Sequence, residues 1–214
     1  MIVCELWRSF EEWISCGVAV CEDVNSPMPL HHPRRIGWRR CFEKFGIALH
    51  PREPCYANGG FVGVARAHRE FLAIWQRLQE VMWTVIGGAE FAGIPGGQPV
   101  GIRSGLFDCF GKTDQDALNA AIEAAMEIPV SFLGRQAMGF EAGAPFLPHA
   151  LGPLKPWRNR LIRNALRGLG CPTADRQFWR FVESPIRLYS NAVIRRRRLQ
   201  VRVAAALARF IRRS

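Results

Sequence analysis

The chain has 214 residues and a net charge of +11, with 49% hydrophobic and 22% charged residues. This balance is typical of a folded globular protein and excludes an intrinsically disordered one. Nine arginines and no acidic residue lie in residues 187–214, so residues 1–186 carry a net charge of only +2. The excess of positive charge therefore belongs to a C-terminal tail, and the body of the protein is nearly neutral.

The first elements alternate between strand and helix. Residues 1–4 are predicted to be the end of a strand, and residues 17–21 a short buried strand. Between them, the spacing of Phe10, Trp13 and Ile14 predicts one or two helical turns. Acidic residues interrupt the N-terminus, so no secretory signal is recognised, and no apolar run reaches the ~20 residues that cross a bilayer. These features predict a cytoplasmic protein.

Two helices and a strand are predicted next. Residues 34–45 are predicted to be a helix whose four arginines beside Trp38 form a solvated basic face. Residues 56–65 are predicted to be a turn that leads into a strand, and residues 66–85 a helix. One face of that helix is apolar at helical spacing and belongs to the core: Phe71, Trp75, Leu78 and Met82. Residues 87–111 hold eight glycines and two prolines, and are either a lid or an insertion.

Residues 113–116, Thr-Asp-Gln-Asp, open a further predicted helix. Thr113 or Asp114 suits its N-cap, and acidic residues in a first turn interact favourably with the helix dipole. Capping alone thus accounts for both aspartates. Asp114 and Asp116 also have D-x-D spacing, but residues 107–112 are not the apolar strand that precedes such a metal motif. Residues 128–147 are predicted to be small strands and turns.

The loop of residues 149–157, His-Ala-Leu-Gly-Pro-Leu-Lys-Pro-Trp, contains the components that hold a metal-bound diphosphate. An imidazole such as that of His149 binds metal, and a glycine such as Gly152 lets the backbone approach phosphate oxygens. Lys155 adds a compact positive charge. A single loop histidine is also typical of a hydrogen-bonded surface group, so the loop alone does not decide between these interpretations.

Three motifs, Asn58-Gly59-Gly60, Asp114-Gln115 and the loop of residues 149–157, occur in an order that resembles the family 8 glycosyltransferases. The resemblance covers residues 1–157. It implies an α/β chain with a GT-A-like fold, here the C-terminal portion of a mixed sheet with flanking helices, over residues 1–186. It further implies transfer of a hexose from a UDP-sugar, with retention of configuration and with Mn²⁺ or Mg²⁺ as cofactor. A cell-surface glycan or a lipid-linked molecule is the expected acceptor.

The resemblance also implies roles for individual residues in the diphosphate half of the site. His149 would be a metal ligand, and Gly152 and Lys155 would contact the diphosphate. Metal and lysine together would neutralise the leaving diphosphate, where charge develops in the transition state.

In the sugar half of the site, the resemblance implies that Asn58 and the backbone of Gly59 lie beside the donor sugar. Asp114 would hydrogen-bond sugar hydroxyls, and Gln115 would face the anomeric carbon from the side opposite UDP. These two residues are the candidate catalytic pair. A neutral amide is a poor nucleophile, so no covalent intermediate is expected on Gln115.

The family's D-x-D, which supplies the other metal ligands, does not occur before Asn58, where Glu22 and Asp23 are adjacent acids. The N-terminal nucleotide-binding part is missing with it. We expect Met1 to be an internal methionine of a longer protein, and the alternative is a truncated product. A non-catalytic remnant of a glycosyltransferase is thus a second hypothesis. A basic nucleic-acid-binding protein is a third, but no helix-turn-helix, RNA-recognition or zinc pattern occurs, and we expect no nucleic-acid partner.

The tail, residues 187–214, is predicted to be a basic amphipathic helix from Asn191. Five arginines fall along one stripe: Arg195, Arg198, Arg202, Arg209 and Arg213. Aliphatic and aromatic residues gather on the opposite side. Such a helix suits an anionic membrane surface, which predicts a peripheral protein on the inner face of the cell membrane. The alternative is a helix docked on its own domain with a solvated basic edge.

Overall fold

A computed structural model describes residues 1–86, 109–111, 113–152, 155–183 and 187–211. Over these residues the chain is a mixed α/β protein with a three-stranded sheet and seven helices, which confirms the predicted class at that level. The strands are β1 (Val18–Glu22), β2 (Ala57–Val64) and β3 (Val130–Leu133). The helices are α1 (Trp7–Ile14), α2 (Pro33–Glu43), α3 (Glu70–Ile86), α4 (Thr113–Ala124), α5 (Leu161–Leu166), α6 (Thr173–Phe181) and α7 (Asn191–Ile211). The predicted lid or insertion lies largely outside the described residues.

Strand β1 is the centre of the sheet. It pairs antiparallel with β2 and parallel with β3, in the order β2-β1-β3. Its run Val-Ala-Val-Cys is fully buried, as expected for a central strand, which confirms the strand predicted at residues 17–21. The strand predicted at residues 1–4 is wrong. Those residues make two backbone hydrogen bonds, from Ile2 N–H to Pro148 O (3.0 Å) and from Cys4 N–H to Phe146 O (3.1 Å), and lie outside the sheet.

The two faces of the sheet are covered differently. Val18 and Val20 of β1 face a core built from α2, α3 and α4, in which the predicted apolar stripe of α3 is buried except for the half-buried Trp75. On the other face, α1 packs so closely that a Cβ on Gly63 would lie 2.6 Å from Ile14 Cγ1. A Cβ on Gly17, whose φ is +126°, would lie 2.3 Å from Pro129 O. Glycine is therefore required at residue 17, and a side chain at residue 63 would displace Ile14.

Helix α2 is tied to α4 by buried ion pairs. Arg35 lies 2.6 Å from Glu123 Oε1, and Arg39 lies 3.0 Å from Glu123 Oε2. Arg35 and Glu123 are both buried, and Arg35 also donates to Met28 O (2.7 Å). The solvated basic face predicted for α2 is therefore wrong for Arg35, because its side chain is buried against Glu123. The two residues are 88 positions apart, so no local sequence pattern indicates this pairing.

The chain forms two compact units. One is Trp7–Gly134, and the other combines Met1–Leu6 with Arg135–Ser214. The division lies between Gly134 and Arg135, whereas sequence analysis set a boundary at residue 186. In the second unit, α7 packs against α5 and α6 and buries three residues, Ile194, Ala204 and Ala208. None of the helices in the described ranges is long and apolar enough to cross a bilayer.

Candidate functional site

A buried polar pair lies where β1 ends. Asp23 directly follows β1, and Asn58 pairs in register with Cys21 near the start of β2. Asn58 Nδ2 donates to Asp23 Oδ2 at 2.6 Å, and both side chains are buried. Asn58 Oδ1 in turn accepts the N–H of Gly60 at 2.8 Å. The pair therefore holds the start of β2 against the carboxyl end of β1.

Side chains of α4 hydrogen-bond the backbone of β2 and hold the two elements together. The backbone of Ala57 is bound at both polar atoms by Asn119, whose Oδ1 accepts the N–H at 2.7 Å and whose Nδ2 donates to the carbonyl at 2.9 Å. The N–H of Gly59 donates to Gln115 Oε1 at 3.2 Å. These bonds set the register between the first turns of α4 and the first residues of β2.

That register places Asp114 beside Gly59. A Cβ added to Gly59 would lie 3.5 Å from Asp114 Oδ2 and 3.7 Å from Gln115 Cβ. Asp114 is exposed, while Gln115 is buried and its side chain lies beside Tyr56, where it opposes the rise in the pKa of Tyr56. All four residues predicted to lie at the donor sugar thus come together, although Gly59 and Gln115 are 56 positions apart. Their carboxylate, amide and bare backbone can hydrogen-bond a neutral, hydroxyl-rich ligand.

Asp116 has a structural role in this cluster. One of its carboxylate oxygens accepts the hydroxyl of Tyr56 at 2.5 Å, and the other accepts the N–H of Gly111 at 2.6 Å. Burial, followed by the charge of Asp116, raises the pKa of Tyr56, so its hydroxyl keeps its proton. Asp116 holds the start of α4 in place.

His149 lies in the second unit. Its backbone N–H donates to Met138 O at 2.9 Å, and its ring packs against Phe140 at 6.3 Å between centroids. It lines a cavity of about 270 Å³ together with Asn159 and Asp175. Asn159 Nδ2 donates to Asp175 Oδ2 at 2.6 Å. Burial raises the pKa of Asp175, and the bond from Asn159 opposes that effect.

The rest of this loop bends back on itself. Gly152 has a φ of +74°, which favours glycine, and the space around its Cβ position is open to 4 Å. Lys155 Nζ donates to Ala150 O at 2.8 Å. An ammonium has three donors, so this bond leaves Lys155 able to bind another acceptor. The loop then ends against α6, where Trp179 Nε1 donates to Pro156 O at 3.3 Å.

A divalent metal at His149 would need ligands beyond those described. No three His, Cys, Asp or Glu side chains of the described residues lie close enough together to share a metal ion. The cavity wall offers the His149 ring and the Asp175 carboxylate, whereas Mn²⁺ prefers about six ligands, mostly oxygen. The described residues therefore do not complete a metal site by themselves.

The arginines predicted to face a membrane have different surroundings in the structure. Arg195, Arg202 and Arg209 are exposed. Arg198 instead donates to Trp179 O at 2.8 Å and forms an ion pair with Glu183 at 2.9 Å. Arg198 is thus partly engaged by its own unit, its contact with a membrane stays a prediction, and Arg213 lies outside the described residues.

Sequence analysis missed two residues of the first cluster. Asp23 was considered only as part of a D-x-D, although it directly follows the buried run Val-Ala-Val-Cys, and side chains at the carboxyl ends of strands commonly form binding sites. Asn119 lies four residues after Gln115, on the same side of α4, and that spacing was the available signal.

The chain matches no family model, no curated protein and no solved structure.

Proposed function

We propose that this protein is a retaining glycosyltransferase that binds the hexose of a UDP-sugar at Asn58, Gly59, Asp114 and Gln115. The observation that carries the proposal is the approach of Asp114 and Gln115 to the bare backbone of Gly59, where a Cβ would lie 3.5 Å from Asp114 Oδ2 and 3.7 Å from Gln115 Cβ. Asp114 is exposed, so its carboxylate can accept from the hydroxyls of a ligand at this place.

The hydrogen bonds of the cluster refine the role proposed for Gln115. Because its Oε1 accepts the N–H of Gly59, Gln115 is fixed against the start of β2. Its proposed role is to position the sugar, and that of the exposed Asp114 is to accept from sugar hydroxyls. The missing side chain of Gly59 leaves the space between them open. Asp23 does not contact the sugar in this proposal; it positions Asn58 by accepting a hydrogen bond from its amide.

The diphosphate is assigned to the loop of residues 149–157. Lys155 supplies a cation, and the backbone at Gly152 is exposed with the conformation of a turn that can approach an anion. His149 would hold Mn²⁺ or Mg²⁺ together with ligands from outside the described residues. When bound, that metal would neutralise charge on the leaving diphosphate. The acceptor is proposed to be a cell-surface glycan or a lipid-linked molecule, and the protein is proposed to lie on the inner face of the cell membrane.

The first test is Gly59→Ala. The new methyl group would make ordinary contacts of 3.5 and 3.7 Å, so the variant should fold, and its free energy of unfolding should be unchanged or higher by about 0.5–1 kcal/mol. The methyl would occupy the proposed sugar space. We expect the wild-type chain to bind UDP-glucose or UDP-galactose with Mg²⁺ in ligand-observed NMR, and the variant to lose the signals of the hexose.

The outcomes separate the hypotheses. Equal hexose signals in wild type and Gly59→Ala would reject the assignment of the sugar site, and no binding of any UDP-hexose by wild type would reject the function. Binding without transfer or hydrolysis by the wild-type chain would identify a non-catalytic glycosyltransferase remnant.

A further inference from the structure

The outward face of α7 combines apolar and basic side chains in an ordered way. Leu199, Val203 and Phe210 are 60%, 40% and 76% exposed, and their spacing puts them on one side of the helix. Arg195, Arg202 and Arg209 recur every seven residues and border this apolar strip, and all three are exposed. The helix buries its other side, so the strip is not the face that packs on α5 and α6.

A second exposed apolar site lies beside the end of α7. Leu166, the last residue of α5, is 63% exposed, and Leu169, in the segment that joins α5 to α6, is 57% exposed. A Cβ on Gly168, between them, would lie 3.8 Å from Ile211 Cγ2 in the last turn of α7. Arg163 in α5 and Arg167 just after it are exposed. Apolar tips surrounded by arginines thus occur on two adjacent elements.

We propose that this surface, the outward face of α7 with residues 163–169, binds an anionic lipid bilayer. Leucine and phenylalanine side chains enter the region just below the headgroups, and the arginines bind lipid phosphates and carboxylates. The proposal deepens the membrane partner in the proposed function, by naming the surface that makes the contact. Arg198 is not part of the proposed surface, because it binds Trp179 O and Glu183.

Charge and exposure favour a bilayer over other occupants. No acidic residue follows Glu183 in the sequence, and two copies of this face would bring arginines against arginines. Nucleic acid would satisfy the arginines through phosphate contacts, but would offer no apolar environment to the exposed Leu199 and Val203. A bilayer surface satisfies both kinds of side chain.

Co-sedimentation of the full chain with vesicles tests the proposal. We expect binding to vesicles of phosphatidylcholine with phosphatidylserine, no binding to phosphatidylcholine alone, and weaker binding at high salt. Phe210→Ser and Leu199→Ser should each weaken binding about ten-fold, because an inserted apolar side chain is lost. Arg202→Gln should weaken it about five-fold. Matched substitutions at exposed positions on α3, Leu72→Ser and Arg77→Gln, should leave binding unchanged.

Circular dichroism on each variant verifies that it has folded, which is expected because the substituted side chains are exposed. If Arg202→Gln weakens vesicle binding while Phe210→Ser and Leu199→Ser do not, the surface is a general polyanion site, and competition by duplex DNA would then identify nucleic acid as its partner. Equal weakening by the α3 substitutions would also overturn the proposal. Since no UDP-sugar is present, this result does not depend on whether the sugar site is correctly assigned.

Discussion

Gln115 joins α4 to β2 at the candidate site. Its amide oxygen accepts the N–H of Gly59, and Asp114 lies beside the same backbone. The hydrogen bond belongs to the fold, whereas a role of Gln115 toward a sugar is a proposal. A single substitution tests that role.

Gln115→Glu is that substitution. An oxygen still accepts from Gly59, but the buried amide donor becomes an acceptor. We expect affinity for a UDP-hexose to fall at least about ten-fold, as for the loss of a hydrogen bond with a buried group. Ligand-observed NMR titration measures the change, and Gln79→Glu on α3 is the control. Unchanged affinity in Gln115→Glu would remove this residue from the sugar site.

The N-cap of α2 depends on pH, because His32 provides it. Its Nδ1 accepts the N–H of Arg34 at 3.2 Å and caps the helix, which requires the neutral ring. Burial, followed by the charges of Arg34, Arg35 and His31, lowers the pKa of His32 from 6.5. Since the folded state favours the neutral form, its contribution to the free energy of unfolding is complete above pH 6.5. It is lost as the pH falls from there through the lowered folded-state pKa.

His32→Asn keeps an N-cap acceptor that does not titrate. The variant should therefore lose the part of the pH dependence that His32 contributes below pH 6.5. Urea denaturation of both proteins between about pH 5 and 8 measures this, because histidine titrates in that range. Parallel curves for the two proteins would contradict the capping role.

Residue identities alone predicted much of the sugar cluster. Asn58, Gly59, Asp114 and Gln115 were grouped by motif, and the structure brings them together, although their role in sugar binding remains a prediction. Asp23 was missed because its importance arises from the strand pairing that puts it against Asn58. Likewise, the burial of Arg35 depends on Glu123, and no local pattern in the sequence connects the two.

At the scale of elements, α4 takes the place of a strand along the first residues of β2. Asn119 makes three hydrogen bonds, two with Ala57 and one from its Nδ2 to Gln115 O at 2.8 Å. All of the groups are buried, so they are shielded from water. The position of Asp114 and Gln115 against β2 thus depends on a residue that does not face the ligand.

Asn119→Ala should consequently lower the free energy of unfolding by about 1–3 kcal/mol, because it leaves the N–H and carbonyl of Ala57 buried without partners. It should also weaken UDP-hexose binding, since α4 is no longer held in register with β2. Guanidinium denaturation measures the first effect. Gln76→Ala, at an exposed position of α3, should change stability by no more than about 0.5 kcal/mol. A similar small change for Asn119→Ala would show that the clamp is dispensable.

Sequence patterns predicted α1 to α4 and α7, and the strands β1 and β2. Apolar spacing indicated α1 and α3, whereas N-cap residues marked the start of α4 and a terminal glycine the end of α2. Helices α5 and α6 were not predicted. They are short, at six and nine residues, and arginines interrupt their apolar positions. Sequence analysis also separated the tail from the domain before it, because charge changes at residue 187, whereas packing does not follow charge.

At the scale of the whole molecule, α7 is part of the second compact unit. Arg197 donates to Trp157 O at 3.1 Å and lies over the ring of Trp179 at 5.4 Å, and Ile194 is fully buried. Removal of residues 187–214 should therefore expose Trp179 and disrupt this unit. We expect a red shift in tryptophan fluorescence and a loss of near-ultraviolet circular dichroism. A truncated chain that melts like the full one would show that α7 is only an appendage.

The close packing at Gly17 and Gly63 has a consequence for distant relatives of this chain. A side chain at Gly17 would collide with Pro129 O, so the backbone would have to move, and one at Gly63 would displace the side chain of Ile14. This constraint comes from the assembly of the sheet and is independent of any ligand. In distant relatives, the two glycines should persist after Asp114 and Gln115 have changed. Common ancestry would then be recorded in these two positions for longer than in the residues of the candidate site.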